Sequence, residues 1–269
     1  MKLKRVFIVY TNPSTSEHTE EQEATLSKVK RVLKRYNFDF RLVDRDHLSK
    51  EKFYGIDLVI AVGGDGTFLR ASQFINRQPV FGVNADIKNK EGFFMQTHKK
   101  KFEAKFMRIT KNNFKIRQFP RLEAYVDGKK IETIALNEFF IGPRKSYHAA
   151  KYVISIDGKK ERQKSSGVLV ATAAGSYAWA KASHNRPLPL NSGKFQFVVR
   201  EPYEGKVFKN YKLKYGILGK NQKVTVVSQM LDGIVVADSV GKEFNVKYGH
   251  KTVVKLADKS KNLRVIWFN

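Results

Sequence analysis

The sequence of 269 residues contains no cysteine, which excludes disulfide bonds and thiolate-bound metal sites. Long apolar runs are also missing, because no stretch approaches the ~18 uninterrupted apolar residues of a membrane-spanning helix. The opening segment MKLKRVFIVYTNPSTS carries only a short apolar run with no small-residue cleavage site after it, so we expect a first strand there, not a secretion signal. These absences favour a cytoplasmic protein without a membrane partner.

Acidic residues are scarce: the sequence has 25 Asp and Glu but 51 Lys and Arg, which gives a formal net charge of +26. One explanation is a protein associated with nucleic acid, which would show a basic stripe with interleaved aromatic residues. The other is a lysine-rich surface together with a small polyanionic ligand such as a nucleotide. The lysines are scattered, and neither zinc-finger spacing nor an RNP-type aromatic motif is present. The sequence therefore favours the second explanation.

The first part of the sequence alternates strand and helix patterns. The runs KRVFIVY, FDFRLVD, DLVIAV and QPVFGVN are typical of strands, and Leu26, Val29 and Leu33 recur at helical spacing within residues 19–36. A further helix is expected near residues 98–110. This order predicts a Rossmann-like parallel sheet with helices on its faces. Ligands of such sheets bind beyond the carboxyl ends of the strands, where GGDGT and GVNAD both fall.

The pattern changes in the region from about 112 to 250. Asp-Gly pairs interrupt short alternating runs in LEAYVDGKKIETI, YVISIDGKKERQ and VTVVSQMLDGIVVADS, and such pairs are strong hairpin signals. We therefore expect two domains: an α/β domain over 1–110 and a β-rich, mostly antiparallel nucleotide-binding domain over 111–250. The apolar and aromatic segment 251–269 is expected to pack back on the first domain.

The segment AVGGDGTF places three glycines around Asp65, between a buried strand and the helix pattern FLRASQFINRQ. Backbone N–H groups of Gly63, Gly64, Gly66 and Thr67 are suited to cradle phosphate. Asp65 repels phosphate, which points to a general base that takes the proton from an attacking hydroxyl. The alternative is a tight loop in which Asp65 caps the following helix.

Four segments in this order resemble the NAD kinase family: GGDGTFL at 63–69, FGVNADIKNKEGFF at 81–94, ALNEFFIG at 135–142 and SSGVLVATAAGSYAWAKA at 165–182. GGDG alone also occurs in lipid kinases and phosphofructokinases, whereas the ordered set is far more specific. The resemblance implies the two-domain NAD-kinase architecture. It also implies transfer of the γ-phosphoryl group of ATP, or of polyphosphate, to the 2′-hydroxyl of the adenosine ribose of NAD.

The resemblance assigns the residues as follows. Asp65 is the base, Asn137 and Glu138 hold the nucleotide acceptor, and Phe93 lines the acceptor pocket. The remaining substrate-binding positions are Gly63, Gly64, Gly66, Thr67, Asn84, Lys164, Ser166, Gly175, Ser176, Tyr177, Ala178 and Lys181. Mg²⁺ is expected to arrive with ATP, because it prefers phosphate oxygens and water to a dedicated protein cage. No metal held by protein ligands is expected.

Two departures from the family pattern concern the acceptor. The segment KSSG stands where many bacterial members have Arg-Gly-Asp-Gly, so Lys164 and Ser166 replace an arginine and an aspartate. This SSG segment resembles a divergent branch that includes animal mitochondrial NAD kinases. The usual TPTGSTAY is here TAAGSYAW. These changes leave the choice between NAD and NADH open.

Two other functions remain as alternatives at this stage. One is a nucleotide-sensing protein that binds without turnover, and the other is a kinase of the lipid or diacylglycerol type. The segment VVREPYEG at 198–205 stands where a pocket-lining loop shared with a neighbouring subunit is expected. We accordingly expect a homodimer or homotetramer.

Overall fold

In the computed structural model, which describes residues 3–15, 19–183 and 186–268, the chain divides into two units. The first unit comprises Met1–Gln118 together with Leu263–Asn269, and the second comprises Phe119–Asn262. Each unit has its own sheets and its own apolar core.

The strands are, in chain order, β1 (Arg5–Tyr10), β2 (Asp39–Asp44), β3 (Leu58–Gly63), β4 (Val80–Asn84), β5 (Met95–His98), β6 (Lys115–Phe119), β7 (Leu122–Val126), β8 (Lys129–Ala135), β9 (Glu138–Pro143), β10 (Ala150–Ile156), β11 (Lys159–Ser165), β12 (Gly167–Thr172), β13 (Phe195–Arg200), β14 (Tyr215–Leu218), β15 (Val224–Ser228), β16 (Gly233–Ala237), β17 (Phe244–Val246), β18 (Lys251–Leu256) and β19 (Leu263–Trp267). The α-helices are α1 (Thr19–Arg35), α2 (Asp65–Ser72), α3 (Phe102–Thr110) and α4 (Trp179–Ala182). Among the described residues, no helix has the length and hydropathy needed to cross a bilayer.

The first unit is built on a seven-stranded sheet in the order β2-β1-β3-β4-β19-β6, with β5 also paired to β4. β1 pairs in parallel with β2 and β3, and β4 pairs in parallel with β3, β5 and β19. The predicted helix over 19–36 is confirmed as α1, whose Leu26, Val29 and Leu33 are buried in the core of this unit. The helix expected near 98–110 is confirmed as α3.

The register of this sheet places two of the sequence motifs side by side. Gly63 at the end of β3 lies opposite Asn84 at the end of β4. Both strands are buried along their whole length, as expected for the centre of a parallel sheet. The GGDGT turn and the segment after Asn84 therefore leave the sheet at the same carboxyl edge.

The second unit contains two six-stranded antiparallel sheets. One has the order β11-β10-β15-β18-β7-β8 and the other β14-β13-β12-β9-β16-β17. A single apolar cluster includes residues of both sheets, among them the fully buried Tyr152 and Phe195. This arrangement confirms the fold class expected from the sequence, an α/β part followed by an all-β part.

Two of the three Asp-Gly pairs form the hairpins that the sequence predicts. Asp127-Gly128 and Asp157-Gly158 have positive φ angles and join β7 to β8 and β10 to β11. The prediction for Asp232-Gly233 is wrong, because β15 and β16 belong to different sheets. Gly233 opens β16, and a side chain there would meet Met230 and Val246, so this glycine permits close packing at the crossing between the sheets.

The segment that returns to the first unit is shorter than the expected 251–269. Lys251–Leu256 forms β18, which pairs with β15 and β7 within the second unit. Its buried Thr252 and Val254 alternate with less buried neighbours, the pattern of a strand with one face on a core. Only Leu263–Trp267 joins the first sheet, as β19. Residues 111–118 also belong to the first unit, because β6 lies next to β19 in that sheet.

Candidate active site

The GGDGT segment forms a turn locked by two threonines of the first unit. A side chain at Gly63 would come within 2.3 Å of Thr67 Oγ1 and 2.9 Å of Thr11 Oγ1, so only glycine fits there. The two threonine hydroxyls are 2.6 Å apart in a buried hydrogen bond. Thr67 is fully buried, and its hydroxyl therefore holds the turn together and does not face a ligand.

Asp65 is the first residue of α2, and its carboxylate is held by backbone groups from a distant segment. Oδ2 accepts the N–H of Phe93 at 2.9 Å, and Oδ1 accepts the N–H of Phe94 at 3.0 Å. The residue at the N-cap is Gly64, which has no capping side chain. The alternative in which Asp65 caps the helix is therefore wrong. Each carboxylate oxygen keeps a second lone pair with which to accept a proton.

The start of α2 leaves backbone donors in the turn. An α-helix supplies no carbonyl acceptor for the N–H groups of its first residues, here Asp65 and Gly66. A side chain at Gly66 would have no heavy atom within 4 Å, so the space above this residue is open. The N–H of Thr67, which the sequence places in the phosphate cradle, donates to Gly64 O at 3.0 Å. The cradle is smaller than expected because the helix begins at Asp65 and not after the turn.

Asn84 and Phe93 mark the two ends of a loop beside this turn. The Asn84 amide donates to Lys90 O at 3.0 Å and accepts the N–H of Asp86 at 3.0 Å, so it anchors the loop from within. Phe93 is half-buried and packs edge-on against Phe94, with ring centroids 4.9 Å apart. The structure thus brings Gly63, Gly64, Asp65, Gly66, Thr67, Asn84 and Phe93 together in the first unit.

In the second unit, Asn137 and Glu138 stand at the start of β9, where a buried aspartate fixes their backbone. The carboxylate of Asp238 accepts the N–H groups of Leu136 at 3.0 Å, Asn137 at 2.7 Å and Glu138 at 3.2 Å. Asp238 is 2% exposed and adopts a positive φ of 54°. Three backbone bonds to one carboxylate define the conformation of this turn tightly.

Arg121 is the second buried charge of this region. Burial lowers the pKa of the Arg121 guanidinium to about 10, and the negative charge of Asp238 acts in the opposite direction. Its Nε donates to the carbonyl of Lys261. Sequence reasoning missed both Arg121 and Asp238. The only sequence signal is a single aspartate that ends the apolar run GIVVAD.

The side chains of Asn137 and Glu138 are buried and incompletely hydrogen-bonded. Within the part of the chain that the structure describes, Asn137 Oδ1 and Glu138 Oε2 have no hydrogen-bond partner. Burial, together with the smaller effect of the negative charge of Asp238, raises the pKa of the Glu138 carboxyl to about 8. Buried polar atoms without partners are rare and need an explanation. These two can accept hydrogen bonds from the hydroxyl or amino groups of a ligand.

The glycine-serine turn lies directly against Asn137. A side chain at Gly175 would come within 2.1 Å of Asn137 O, so glycine is required for this approach. The Thr172 hydroxyl donates to Leu136 O at 2.7 Å and accepts the N–H of Gly175 at 3.0 Å. The structure therefore brings Asn137, Glu138 and Gly175 together.

The residues after Gly175 have different environments. Ser176 is fully buried; its hydroxyl donates to Ala173 O at 2.7 Å and accepts the N–H of Leu188 at 2.8 Å. Its hydroxyl is therefore fully engaged in holding the turn. Tyr177 and Lys181 are exposed and Ala178 is half-buried, so these three positions remain accessible to a ligand.

Lys164 and Ser166 lie away from Asn137 and Glu138. Glu138 is opposite Ala171 in the β9–β12 ladder, and Ser166 stands five positions further along, roughly 16 Å at ~3.3 Å per residue. The Lys164 ammonium lies 4.3 Å from the centroid of the Tyr203 ring, and the N–H of Ser166 donates to Arg200 O at 2.9 Å. Both residues thus contact the segment 198–205.

No metal cage is evident among the described residues: they contain no group of three or more His, Asp or Glu side chains placed to hold a metal ion. A divalent cation that arrives bound to nucleotide phosphates needs few protein ligands, and it therefore agrees better with these side chains than a metal ion held by the protein alone.

The family model for the ATP-NAD kinase N-terminal domain matches residues 2–112. A probable NADH kinase of Oryza sativa subsp. japonica is 26% identical over 270 residues, covering 89% of this chain and 81% of that protein. The mitochondrial NAD kinase 2 of Homo sapiens is 28% identical over 313 residues, covering 85% and 69%.

A crystal structure of an NAD kinase from Archaeoglobus fulgidus in complex with ATP superposes with a TM-score of 0.75. It is 23% identical in sequence, and the match covers 98% of this chain and 93% of that one. This likeness concerns the fold and agrees with the combination of one parallel and two antiparallel sheets. The family model of the N-terminal part, the motifs in both units and the relatives in sequence agree with one another: this chain is similar to NAD kinases over most of its length.

Proposed function

We propose that this protein is an NAD kinase that transfers the γ-phosphoryl group of ATP to the 2′-hydroxyl of the adenosine ribose of NAD or NADH. The observation that carries the proposal is the Asp65 carboxylate, which two backbone N–H groups hold in a glycine turn at the carboxyl edge of a parallel sheet. The names of the similar proteins, NAD kinase and NADH kinase, support the same reaction.

In the reaction, Asp65 takes the proton of the 2′-hydroxyl as that oxygen attacks the γ-phosphorus. A bond forms between the ribose oxygen and the γ-phosphorus, the bond from the γ-phosphorus to the β,γ-bridging oxygen breaks, and ADP leaves. A positioned base contributes ~10²–10⁴-fold, and the rest comes from alignment and charge stabilisation. When bound with ATP, Mg²⁺ neutralises phosphate charge. The N–H groups of Asp65 and Gly66 are the chain's own contribution at this point.

Asn137 and Glu138 suit the acceptor nucleotide. With a pKa of about 8, the Glu138 carboxyl is mostly protonated near neutral pH, so it offers an O–H donor as well as an acceptor. A ribose diol, which both donates and accepts, is complementary to this group. The unpartnered Asn137 Oδ1 suits an amino or hydroxyl donor of the same nucleotide.

Five finer points belong to the proposal: the acceptor, the donor, the cation, the location and the oligomeric state. The acceptor is either NAD or NADH, and the donor is ATP or polyphosphate. Mg²⁺ accompanies the donor. The protein acts in the cytoplasm as a homodimer or homotetramer, in which the segment around Lys164, Ser166 and Arg200 is available for a neighbouring subunit.

The test is a phosphoryl-transfer assay with purified protein, Mg²⁺, ATP or polyphosphate, and NAD or NADH, with NADP and NADPH separated by chromatography. Product from either acceptor supports the proposal, and the ratio of the two rates defines the preferred acceptor. Tight binding of ATP and NAD without product from any pair would contradict it and favour a nucleotide-sensing protein.

A further inference from the structure

The loop between Asn84 and Gly92 fixes the backbone of Lys90. The carbonyl of Lys90 accepts the Asn84 amide at 3.0 Å, and its N–H donates to Asp86 O at 3.1 Å. The Asp86 carboxylate also accepts the N–H groups of Lys88 at 3.1 Å and Asn89 at 3.3 Å. Gly92 closes the loop with a φ of 70°. Lys90 is therefore attached to a rigid segment and not to a freely moving one.

The side chain of Lys90 lies across the glycine turn. Its Cδ is 3.0 Å and its Cγ 3.5 Å from the position that a Cβ on Gly64 would occupy. Gly64 directly precedes Asp65, so the aliphatic part of Lys90 passes beside the residue to which we assign proton removal. A larger residue at position 64 would push this side chain off the turn.

Among the residues that the structure describes, the ammonium of Lys90 makes no hydrogen bond and no ion pair within 4 Å. Burial lowers the pKa of Lys90, the negative charge of Asp86 opposes this change, and the positive charge of Arg45 adds to it by a smaller amount. A half-buried ammonium that makes no hydrogen bond has lost part of its hydration without gaining a direct partner, and an anion at the turn would compensate for this loss. This environment suits an anionic ligand at the turn.

We propose that the Lys90 ammonium binds the terminal phosphates of the donor, where they lie against the Gly64–Gly66 turn. The inference rests on the proposed function, which places those phosphates next to Asp65. A lysine acts there as a compact point charge on phosphate oxygens. It would stabilise the negative charge of the β- and γ-phosphates in the bound donor.

The experiment measures binding of inorganic triphosphate with Mg²⁺ by titration calorimetry, which requires no acceptor and no turnover. Lys90→Met keeps the unbranched side chain over Gly64 but removes the charge, and Lys90→Arg keeps the charge. The matched control is Lys88→Met, which removes the same charge from an exposed position of the same loop. We expect Lys90→Met to weaken triphosphate binding roughly tenfold, about 1.4 kcal/mol. Lys90→Arg and Lys88→Met should stay within roughly twofold of the parent.

Two results would overturn the inference: unchanged triphosphate affinity in Lys90→Met, or an equal loss in Lys88→Met. Binding of NAD should be the same in all variants, which separates loss of a phosphate contact from damage to the fold. If triphosphate binding depends on Lys90 but the parent protein forms no NADP or NADPH, the proposed function fails and the phosphate site stands. If product forms and Lys90→Met binds triphosphate normally, only the present inference fails.

Discussion

The two groups of candidate residues differ in how their polar atoms are satisfied. In the first unit, the Asp65 carboxylate accepts two backbone N–H groups and the Thr67 hydroxyl is paired with Thr11. In the second, Asn137 Oδ1 and Glu138 Oε2 are buried without partners among the described residues. The first group is thus prearranged by folding alone. The second retains hydrogen-bonding capacity that a ligand is needed to fill. The first group therefore suits the proposed base, and the second suits the proposed binding of the acceptor.

The largest expected effect comes from removing the proposed base, Asp65. In Asp65→Asn the amide NH₂ would face one of the N–H groups of Phe93 and Phe94, so one hydrogen bond is lost while size is kept. We expect kcat to fall by ~10²–10⁴-fold, as for other positioned bases, with NAD binding retained. Steady-state kinetics and calorimetry measure the two quantities.

A matched control for this substitution exists in the same unit. Asp57 Oδ2 also accepts two backbone N–H groups, from Lys4 at 3.0 Å and Arg5 at 2.8 Å, at the opposite end of the neighbouring strands. Asp57→Asn should lower stability to a similar extent without a comparable loss of kcat. Equal losses of kcat in both variants would remove the catalytic role from Asp65.

The second prediction concerns Glu138 and the pH dependence of stability. Its pKa of about 8 lies above the usual 4.5, so the folded protein holds the proton more tightly than the unfolded chain. The contribution of this group is therefore fully present below pH ~4.5 and is lost as pH rises through about 8. At about 1.4 kcal/mol per pKa unit, the loss is on the order of several kcal/mol.

Glu138→Gln removes this titration while keeping the shape of the side chain. We expect its Tm to fall less than that of the parent between pH 5 and pH 9, with a difference of at least ~3 °C at the alkaline end. The exposed Glu132→Gln is the control and should follow the parent. Parallel curves for Glu138→Gln and the parent would show that Glu138 is not the buried acid described here.

Gly175→Ala tests the packing of the second group. The new Cβ would meet Asn137 O at 2.1 Å, so the turn or the strand start must move. We expect a loss of about 1–3 kcal/mol in the free energy of unfolding, typical of overpacking, and weaker NAD binding. Denaturant titration and calorimetry check the two effects. Unchanged stability would mean that the contact between Gly175 and Asn137 is looser than described.

Gly66→Ala is the counterpart in the first group and has the smallest expected effect on stability. The site is open and helical, so alanine should stabilise the protein by up to about 1 kcal/mol. The methyl group would occupy the open space above the turn, and triphosphate affinity should fall. A gain in stability together with a loss of affinity would identify Gly66 as a glycine kept for binding. Tighter triphosphate binding would contradict that role.

Much of the fold could be predicted from the sequence because its signals are local. Alternating strands and helices, and the Asp-Gly pairs at 127–128 and 157–158, act over a few residues. Asp232-Gly233 carried the same local signal, but pairing of β16 with β9 and β17 decided its structure. Likewise, the length of the returning C-terminal segment depends on which sheet β18 joins.

The candidate site was predicted less completely, because its decisive contacts are distant in sequence and involve backbone atoms. Asp65 bonds to residues 28 and 29 positions away, and Asp238 bonds to residues about a hundred positions away. Backbone N–H donors leave no trace in residue identity. The separation of Lys164 and Ser166 from Glu138 depends on strand register, which the motif alone does not contain.

The bonds from Phe93 and Phe94 to Asp65 also determine how this protein can change over evolution. Peptide N–H groups orient the carboxylate, so the half-buried side chain at 93 can be replaced without releasing it, whereas Phe94 is also fixed by its burial against Phe68. The surface that Phe93 presents is therefore free to diversify, and with it the proposed contact to the acceptor, while the Asp65 carboxylate stays in place. Proline is the one residue that this arrangement forbids at either position, because it has no N–H to donate.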